Sequence, residues 1–227
     1  MPDRVTLIFA IRHGQTAWNL ASRIQGHTDI GLDATGLWQA GRLAAATADA
    51  GITALYASDL QRAVQTAQAV AERTGLGVDT DAGLRERHFG VFEGHTHAHI
   101  EQHWPAQALR WRQRDPEFGA EGGETLAAFY ARVLACATRL ASLHPGETIA
   151  LVAHGGVMDC LYRAATRVGL RAPRTWQLGN ASINRLLYSP EGFTLVGWND
   201  ESHLEPAAFD GAAGERESHS EHAERAA

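Results

Sequence analysis

Residues 5–19 have the sequence VTLIFAIRHGQTAWN, in which a short apolar run leads into a cluster of polar residues. The apolar, partly β-branched half predicts a buried strand. Arg12, His13 and Gly14 follow where that strand should end, and ligands of open α/β sheets bind at the carboxyl ends of strands. Gly14 would let the backbone approach a ligand closely. We therefore expect an anion pocket here, although Arg12 and His13 could equally end a strand with no ligand.

The composition is that of a soluble globular protein. The chain has 227 residues, of which 44% are hydrophobic, enough for one substantial domain or two small ones. No apolar run is long enough to cross a bilayer, and the N-terminus lacks a basic region followed by an apolar one. We expect a cytoplasmic protein with no membrane partner.

The negative charge is concentrated at the C-terminus. Residues 201–227 hold seven acidic residues against two arginines, so residues 1–200 are nearly neutral although the whole chain has a net charge of −6. A nearly neutral body argues against a nucleic-acid partner, which would need a basic stripe. All twenty basic residues are arginine. A chain without lysine has no Walker phosphate loop, no lysine Schiff base and no protein-kinase strand lysine.

Apolar runs of strand length alternate with segments of helical period along residues 1–200. This alternation predicts an α/β fold, a three-layer αβα sandwich with a mostly parallel, doubly wound sheet. Beyond the first strand, we predict strands at 52–57, 77–80 and 148–153, a hairpin of 182–188 and 193–198, and helices at 35–50, 60–74 and 124–143.

The chain divides into a body and a tail. We expect one domain over residues 1–200, with a small helical cap inserted at about 95–123, where the apolar alternation stops. The tail, residues 201–227, is acidic, Ala-rich and poor in large apolar groups. Such a composition predicts disorder.

A second histidine repeats the opening pattern. The predicted strand 148–153 runs into His154 and Gly155, much as the first runs into His13 and Gly14. Parallel strands present their carboxyl ends at one edge of a sheet, so both histidines should face the same crevice. Taken singly, His154 could as well be a core histidine with a satisfied hydrogen bond.

Two further charged residues could reach this crevice. Asp59 is a good N-cap for the helix that follows it, and Arg62 on the first turn can point back toward the strand ends. Glu86 lies between Arg85 and Arg87. Taken alone, Arg62 and Glu86 could each belong to a surface ion pair of little energy.

Four spaced motifs together resemble the histidine phosphatase superfamily, the phosphoglycerate-mutase-like group. Arg-His-Gly alone would be a weak signal, but all four motifs follow the order of that family, and the resemblance spans residues 5–199. It implies that residues 1–200 are a histidine phosphatase-like catalytic domain. The motifs are RHGQTAWN with Gln25-Gly26, SDLQRAVQTA around Arg62, LRERHFG around Glu86, and AHGG at 153–156.

The resemblance implies a role for each residue. His13 would attack phosphorus and form a phosphohistidine, and Glu86 would act as general acid and then general base. Arg12, Arg62 and His154 would stabilise the phosphoryl oxygens, so no metal or other cofactor is expected. Further substrate contacts would come from Asn19, Gln25, Gly26, Gly155 and Arg87, with Arg87, Arg110 and Arg112 able to favour a second acidic group.

The favoured function is a metal-independent phosphomonoesterase that hydrolyses a small phosphorylated metabolite. A cofactor-dependent phosphoglycerate mutase is the alternative, because the ERHFG sequence at 86–90 resembles the mutase motif. However, this chain has His97 about where those mutases have a lysine, and Gly156 where they have an asparagine. A non-catalytic phospho-ligand-binding module ranks lower, because both nucleophile and acid are retained, and a homodimer is left open.

Four histidines of the cap also allow a metal hypothesis. His99 and His103 are four residues apart and would share a helix face, as zinc ligands do. The sequence between them does not place a carboxylate in the zincin position. We expect His95, His97, His99 and His103 instead to line the cap and help select the leaving group.

Overall fold

The computed structural model describes residues 5–205, and its strands form one six-stranded sheet. The strands are β1 (Thr6–Arg12), β2 (Ile52–Ala57), β3 (Val78–Thr80), β4 (Thr148–Ala153), β5 (Ile183–Ser189) and β6 (Gly192–Asp200). Their order across the sheet is β3-β2-β4-β1-β5-β6. The first four are parallel, and β5 and β6 form an antiparallel hairpin beside β1. The predicted α/β fold with a mostly parallel sheet is confirmed.

Helices cover both faces of the sheet. Two pack on one face and two on the other, which gives the three layers that the sequence predicts. None of the helices within residues 5–205 combines the length and the apolarity needed to cross a membrane. The helices are α1 (Ala17–Leu20), α2 (Ala34–Thr47) and α3 (Gln61–Thr74) before the cap, α4 (His97–His103) and α5 (Pro105–Arg112) within it, and α6 (Leu126–Ser142) and α7 (Gly155–Thr166) after it.

The central strands β1 and β4 are buried on both faces. Ile8 and Ile149 belong to the apolar cluster under α6 and α7, whereas Phe9 and Ala150 belong to the cluster under α2 and α3. Strands buried on both sides need continuous apolar runs, which explains the sequences of these two strands.

The cap has an apolar cluster of its own. Phe92, Ile100 and Phe118 are buried in it, and Trp104 and Trp111 pack against it. The cap helices α4 and α5 are thus held by packing that is separate from the core of the sheet. This agrees with the small helical cap predicted for this region.

Two local predictions are wrong. Asp59 does not cap α3, because its carboxylate accepts hydrogen bonds from both ends of the Arg85 guanidinium. The backbone N–H of Gln61 donates instead to Asp29 Oδ1, at 2.7 Å. The tail was expected to be disordered from residue 201, but residues 202–204 form a short 3₁₀ helix. The remaining part of that prediction, residues 206–227, lies outside the described residues.

The turn after β1 packs directly on the start of α2. A Cβ on Gly36 would lie 2.1 Å from the carbonyl oxygen of Gln15, and a Cβ on Gly14 would lie 2.6 Å from that of Gly36. These neighbours are backbone atoms, which cannot rotate away as a side chain can. The turn that follows His13 is therefore fixed against α2 by a contact that only glycine allows.

We predict that Gly36→Ala lowers the free energy of unfolding by at least about 2 kcal/mol, because the new methyl group would overlap this backbone. Gly41→Ala in the same helix is the matched control, since no atom lies within 4 Å of its would-be Cβ. That substitution should stabilise the protein by roughly 0.5–1 kcal/mol through helix propensity. Urea unfolding of both variants measures the difference, and equal stabilities would contradict the contact.

Candidate active site

The ends of β1 and β4 bring His13 and His154 together. Arg12 pairs with Ala153 in the parallel register, so the two histidines leave neighbouring strands at the same level. Their ring centroids are 5.2 Å apart, and both side chains are buried. The single crevice expected from the sequence is therefore present.

His13 holds its proton on Nδ1. That atom lies 2.7 Å from the carbonyl oxygen of Gly14, which can only accept, so Nδ1 donates and Nε2 keeps a lone pair. Burial lowers the pKa of His13 well below its usual value, and the positive charges of Arg62 and Arg12 lower it further. At neutral pH the ring is an uncharged nucleophile with Nε2 available.

His154 has the opposite tautomer. Its Nδ1 accepts a hydrogen bond from Nε of Arg62 at 3.2 Å, so the proton is on Nε2. Nε2 is buried and has no hydrogen-bond partner among the described residues. Burial, followed by the charge of Arg62, also depresses the pKa of His154. The ring is a neutral donor beside the nucleophile.

Arg62 is fully buried on the first turn of α3. Its Nη1 donates to the carbonyl oxygen of Thr28 at 3.0 Å and its Nη2 to that of Gly26 at 2.8 Å. No carboxylate of the described residues lies within 4.0 Å of the Arg62 guanidinium, so Arg62 does not form the surface ion pair that the sequence also allowed. Burial lowers its pKa. All three nitrogens are fixed by hydrogen bonds to neutral groups.

The carboxylate of Glu93 fixes the loop whose carbonyl oxygens accept hydrogen bonds from Arg62. The sequence alone does not predict this role. The two carboxylate oxygens of Glu93 accept four hydrogen bonds, from the backbone of His27, Thr28 and Phe89 and from the hydroxyl of Thr28. It ties the loop after the first motif to the segment that follows Glu86. The only signal in the sequence is its place just beyond the third motif.

Arg12 provides a second cation. Nη1 donates to the carbonyl oxygen of Leu178 at 2.7 Å, and the buried Nε has no hydrogen-bond partner within residues 5–205. Burial lowers the pKa of Arg12 to about 10, although the charge of Glu86 opposes this shift. The guanidinium remains charged at neutral pH.

The carboxylate of Glu86 lies at the N-terminus of α7. Oε2 accepts from the backbone N–H of Gly156 at 2.9 Å, and Oε1 accepts from that of Arg87 at 2.8 Å. The helix dipole favours an anionic group in this position. A Cβ on Gly156 would lie 2.1 Å from Oε1, so this placement requires glycine there. Glu86 forms no ion pair with Arg85, which binds Asp59 instead.

Two cavities meet at these residues. The His13 cavity, of about 430 Å³, is lined by Arg12, His13 and Arg62, and the Trp111 cavity, of about 440 Å³, extends beneath the cap. Glu86 and Gly155 line both. Three further residues predicted to contact the substrate also line the His13 cavity, namely Asn19, Gln25 and Gly26.

The arginines expected to meet an acidic group are engaged elsewhere. Arg87 lines the Trp111 cavity, but its Nε and Nη2 donate to the carbonyl oxygens of Phe118 and Glu124. Arg110 forms an ion pair with Asp115, and Arg112 forms one with Glu101. Their charges are used to hold the cap.

Only one of the four cap histidines meets the cavities. The ring of His97 lines both and stacks on Trp111, with 4.8 Å between centroids. His95, His99 and His103 stack on one another instead, with centroids 4.2 and 3.8 Å apart, so of the four histidines expected to line the cap and help select the leaving group only His97 lies beside these cavities. Within residues 5–205, no group of three or more His, Cys, Asp or Glu is arranged to hold a metal ion.

The structure adds two residues that no sequence pattern indicated. Asn180 donates from Nδ2 to the carbonyl oxygen of His13 at 3.0 Å and to Oδ1 of Asn19 at 3.2 Å. Arg174 lines both cavities. Both belong to the segment between α7 and β5, which has neither helical nor strand period.

Known proteins share this arrangement of sequence and fold. The chain is 37% identical over 218 residues to phosphoglycerate mutase-like protein 4 of Arabidopsis thaliana, and the match covers 93% of each protein. It resembles the mycobacterial glucosyl-3-phosphoglycerate phosphatase solved with VO3, at 33% identity and a TM-score of 0.77 over 87% of this chain and 99% of that one. It also resembles the phosphoserine phosphatase of Entamoeba histolytica solved with 3-phosphoglyceric acid, at 28% identity and a TM-score of 0.79 over 88% and 100%.

The family model matches nearly all of the residues that the structure describes. Residues 8–201 match the model of the histidine phosphatase superfamily, branch 1. This range includes His13, His154, Arg12, Arg62 and Glu86. The chain therefore belongs to branch 1 of the histidine phosphatase superfamily, a superfamily of phosphoryl-transfer enzymes.

Proposed function

We propose that this chain is a phosphomonoesterase that hydrolyses a small phosphorylated metabolite, without a metal, through a phosphohistidine on His13. One observation carries the proposal. His13, with its free lone pair on Nε2, and two guanidinium groups line a single cavity, and the ring of His154 lies 5.2 Å from that of His13 with an Nε2–H that has no partner among the described residues. A nucleophile and cationic donors in one place are what in-line phosphoryl transfer needs.

In the first step, Nε2 of His13 attacks phosphorus, and the bond between phosphorus and the ester oxygen breaks. Glu86, in its protonated form, gives its proton to the leaving alkoxide. The hydrogen bond from Nδ1 to the carbonyl oxygen of Gly14 stabilises the ring as it becomes positively charged. The position of Glu86 between the two cavities supports this role, because the leaving oxygen has to lie between phosphorus and the rest of the substrate.

In the second step, the carboxylate of Glu86 accepts a proton from water. The resulting hydroxide attacks phosphorus, the bond to Nε2 breaks, and inorganic phosphate leaves with His13 neutral again. Arg12, Arg62 and His154 stabilise the equatorial oxygens in both steps. Arg62 makes no ion pair with a carboxylate of the described residues, which supports a role for its charge at the phosphoryl group.

Gly156 favours hydrolysis over the mutase alternative. The mutase pattern has asparagine at this position, and a side chain there would overlap Glu86 as it is placed here. The two similar solved structures carry the names of phosphatases, glucosyl-3-phosphoglycerate phosphatase and phosphoserine phosphatase. The Arabidopsis relative is named mutase-like, which keeps the mutase as the second candidate.

We predict that His13→Ala lowers phosphate release from phosphomonoesters by at least about 10⁴-fold, because the covalent step is lost. Brief exposure of the wild type to labelled substrate in chelator should give an acid-labile phosphohistidine that the variant lacks. Trp38→Ala, on the exposed side of α2, is the control and should behave as wild type.

Full turnover by His13→Ala would refute the proposal, and loss of wild-type turnover in chelator would refute metal independence. Ester binding without phosphohistidine would indicate a non-catalytic module. The mutase activity is tested by adding bisphosphoglycerate to 3-phosphoglycerate. Conversion of 3-phosphoglycerate to its isomer faster than phosphate release would show that the enzyme is a mutase.

Glu86→Gln should separate the two steps. With alkyl phosphates, formation of the phosphohistidine should fall by roughly 10²–10⁴-fold, since the leaving alkoxide needs a proton. With p-nitrophenyl phosphate, whose leaving group needs little help, the phosphohistidine should form and accumulate because its hydrolysis lacks a base. Rapid-quench measurement of both substrates tests this, and an equal loss with both would contradict the acid role.

The free energy of unfolding should decrease as the pH is lowered, because His13 is neutral in the folded protein. Its pKa is depressed in the folded state, so below about pH 6.5 the unfolded chain binds more protons and unfolding is favoured. Between pH 7.5 and 5.5 the wild type should lose about 1.4 kcal/mol more than His13→Gln. Urea unfolding at both pH values measures this, with His103→Gln in the cap as control. The same pH dependence in wild type and His13→Gln would disprove a depressed pKa.

A further inference from the structure

The Trp111 cavity continues from the His13 cavity past Glu86. The two share six residues of their walls, among them Glu86, Phe89 and Arg174. A phosphoryl group beside His13 would therefore have its ester oxygen near Glu86 and the rest of the molecule in the Trp111 cavity. The inference rests on the proposed function, and it concerns which alcohols the enzyme releases.

Aromatic side chains form one part of the wall of the Trp111 cavity, beside charged residues. Phe89, Trp111 and Phe129 line it, together with Leu126. The Trp111 ring is held in place, because His97 stacks on it with an angle of 3° between the planes. Fixed aromatic faces bind flat or ring-shaped groups by burying apolar surface at little entropic cost.

The volume exceeds what a small acid would fill. At roughly 30 Å³ per water molecule, 440 Å³ has room for on the order of 15 waters. A three-carbon acid would displace only a few of them. Sites for larger metabolites fall in the range of about 300–1,000 Å³.

Most of the arginines that line the cavity already have hydrogen-bond or ion-pair partners. Arg114 forms an ion pair with Asp159, Arg112 pairs with Glu101, and Arg87 donates to carbonyl oxygens. Among residues 5–205, neither Arg87 nor Arg174 has a carboxylate within 4.0 Å, and Arg174 lies where the two cavities meet. An acidic leaving group would therefore have to compete with the hydrogen bonds that Arg87 already donates to carbonyl oxygens.

We propose that the Trp111 cavity binds the leaving group and selects phosphomonoesters of ring-bearing alcohols, whose ring packs on Trp111, over three-carbon acids. A sugar ring and an aromatic ring share the apolar face that this packing needs. Trp111 is then a residue that determines specificity.

Four primary-alcohol phosphates of similar intrinsic reactivity test the proposal: glucose 6-phosphate, benzyl phosphate, glycerol 3-phosphate and 3-phosphoglycerate. Phosphate release by the wild type in chelator should show kcat/KM at least tenfold higher for one ring-bearing ester than for both three-carbon esters. A preference for glucose 6-phosphate indicates a sugar and a preference for benzyl phosphate an aromatic ring. Equal or higher kcat/KM for a three-carbon ester overturns the proposal without any variant.

Trp111→Ala should lower kcat/KM for the preferred ring-bearing ester about tenfold. The kcat/KM values for the two three-carbon esters should change less than twofold. Trp111→Phe, which keeps a ring and the packing of the cap, should retain most of the preference. Trp38→Ala is the matched control and should change nothing. An equal loss on all four esters with Trp111→Ala would show a merely structural role and overturn the proposal.

Acetyl phosphate separates this inference from the proposed function, because its leaving group is too small to reach Trp111. Phosphohistidine from acetyl phosphate in both wild type and Trp111→Ala, with no preference among the four esters, refutes the inference alone. No phosphohistidine from any donor refutes both.

Discussion

The parallel pairing of β1 with β4 is the constraint on which the rest of this structure depends. Arg12 lies opposite Ala153, so the residue after each strand is a histidine at the same height above the sheet. Both strands are packed on both faces, so a shift in register would disrupt the close packing of their side chains against the helices on either side. The distance between the two imidazoles is therefore set by the core and not by the loops around them.

From that starting point, hydrogen bonds give two identical side chains different chemistry. His13 donates from Nδ1 to a carbonyl oxygen, whereas His154 accepts at Nδ1 from Arg62. One ring is left with a lone pair on Nε2 and the other with a proton on Nε2. Burial keeps both rings neutral, since it disfavours the charged form of each. The nucleophile and the donor thus differ only in their neighbours.

The sequence was sufficient for the sheet, the layers and the residues at the strand ends, because these follow from long apolar runs and from the polar residues that stop them. It was not sufficient where a side chain had a choice of partners. Asp59 has the right spacing to cap α3, yet the Arg85 guanidinium offers it two charged hydrogen bonds, and Asp29 caps the helix from a distant loop. Glu93 and Asn180 could not be identified either, because they contact residues far away in sequence, and Arg174 lies in a segment without helical or strand period. The cap histidines show the same limit, since periodicity places them on a helix but does not say which of them faces the cavities.

The contact between Glu86 and the backbone of Gly156 has a consequence for substitutions at position 156. The carboxylate occupies the space where a Cβ would otherwise be, so these two positions are not free to vary independently. A larger residue at 156 would displace the carboxylate from the backbone N–H that it accepts from. The effect of a change at 156 should therefore depend on where the flexible side chain of Glu86 can rotate.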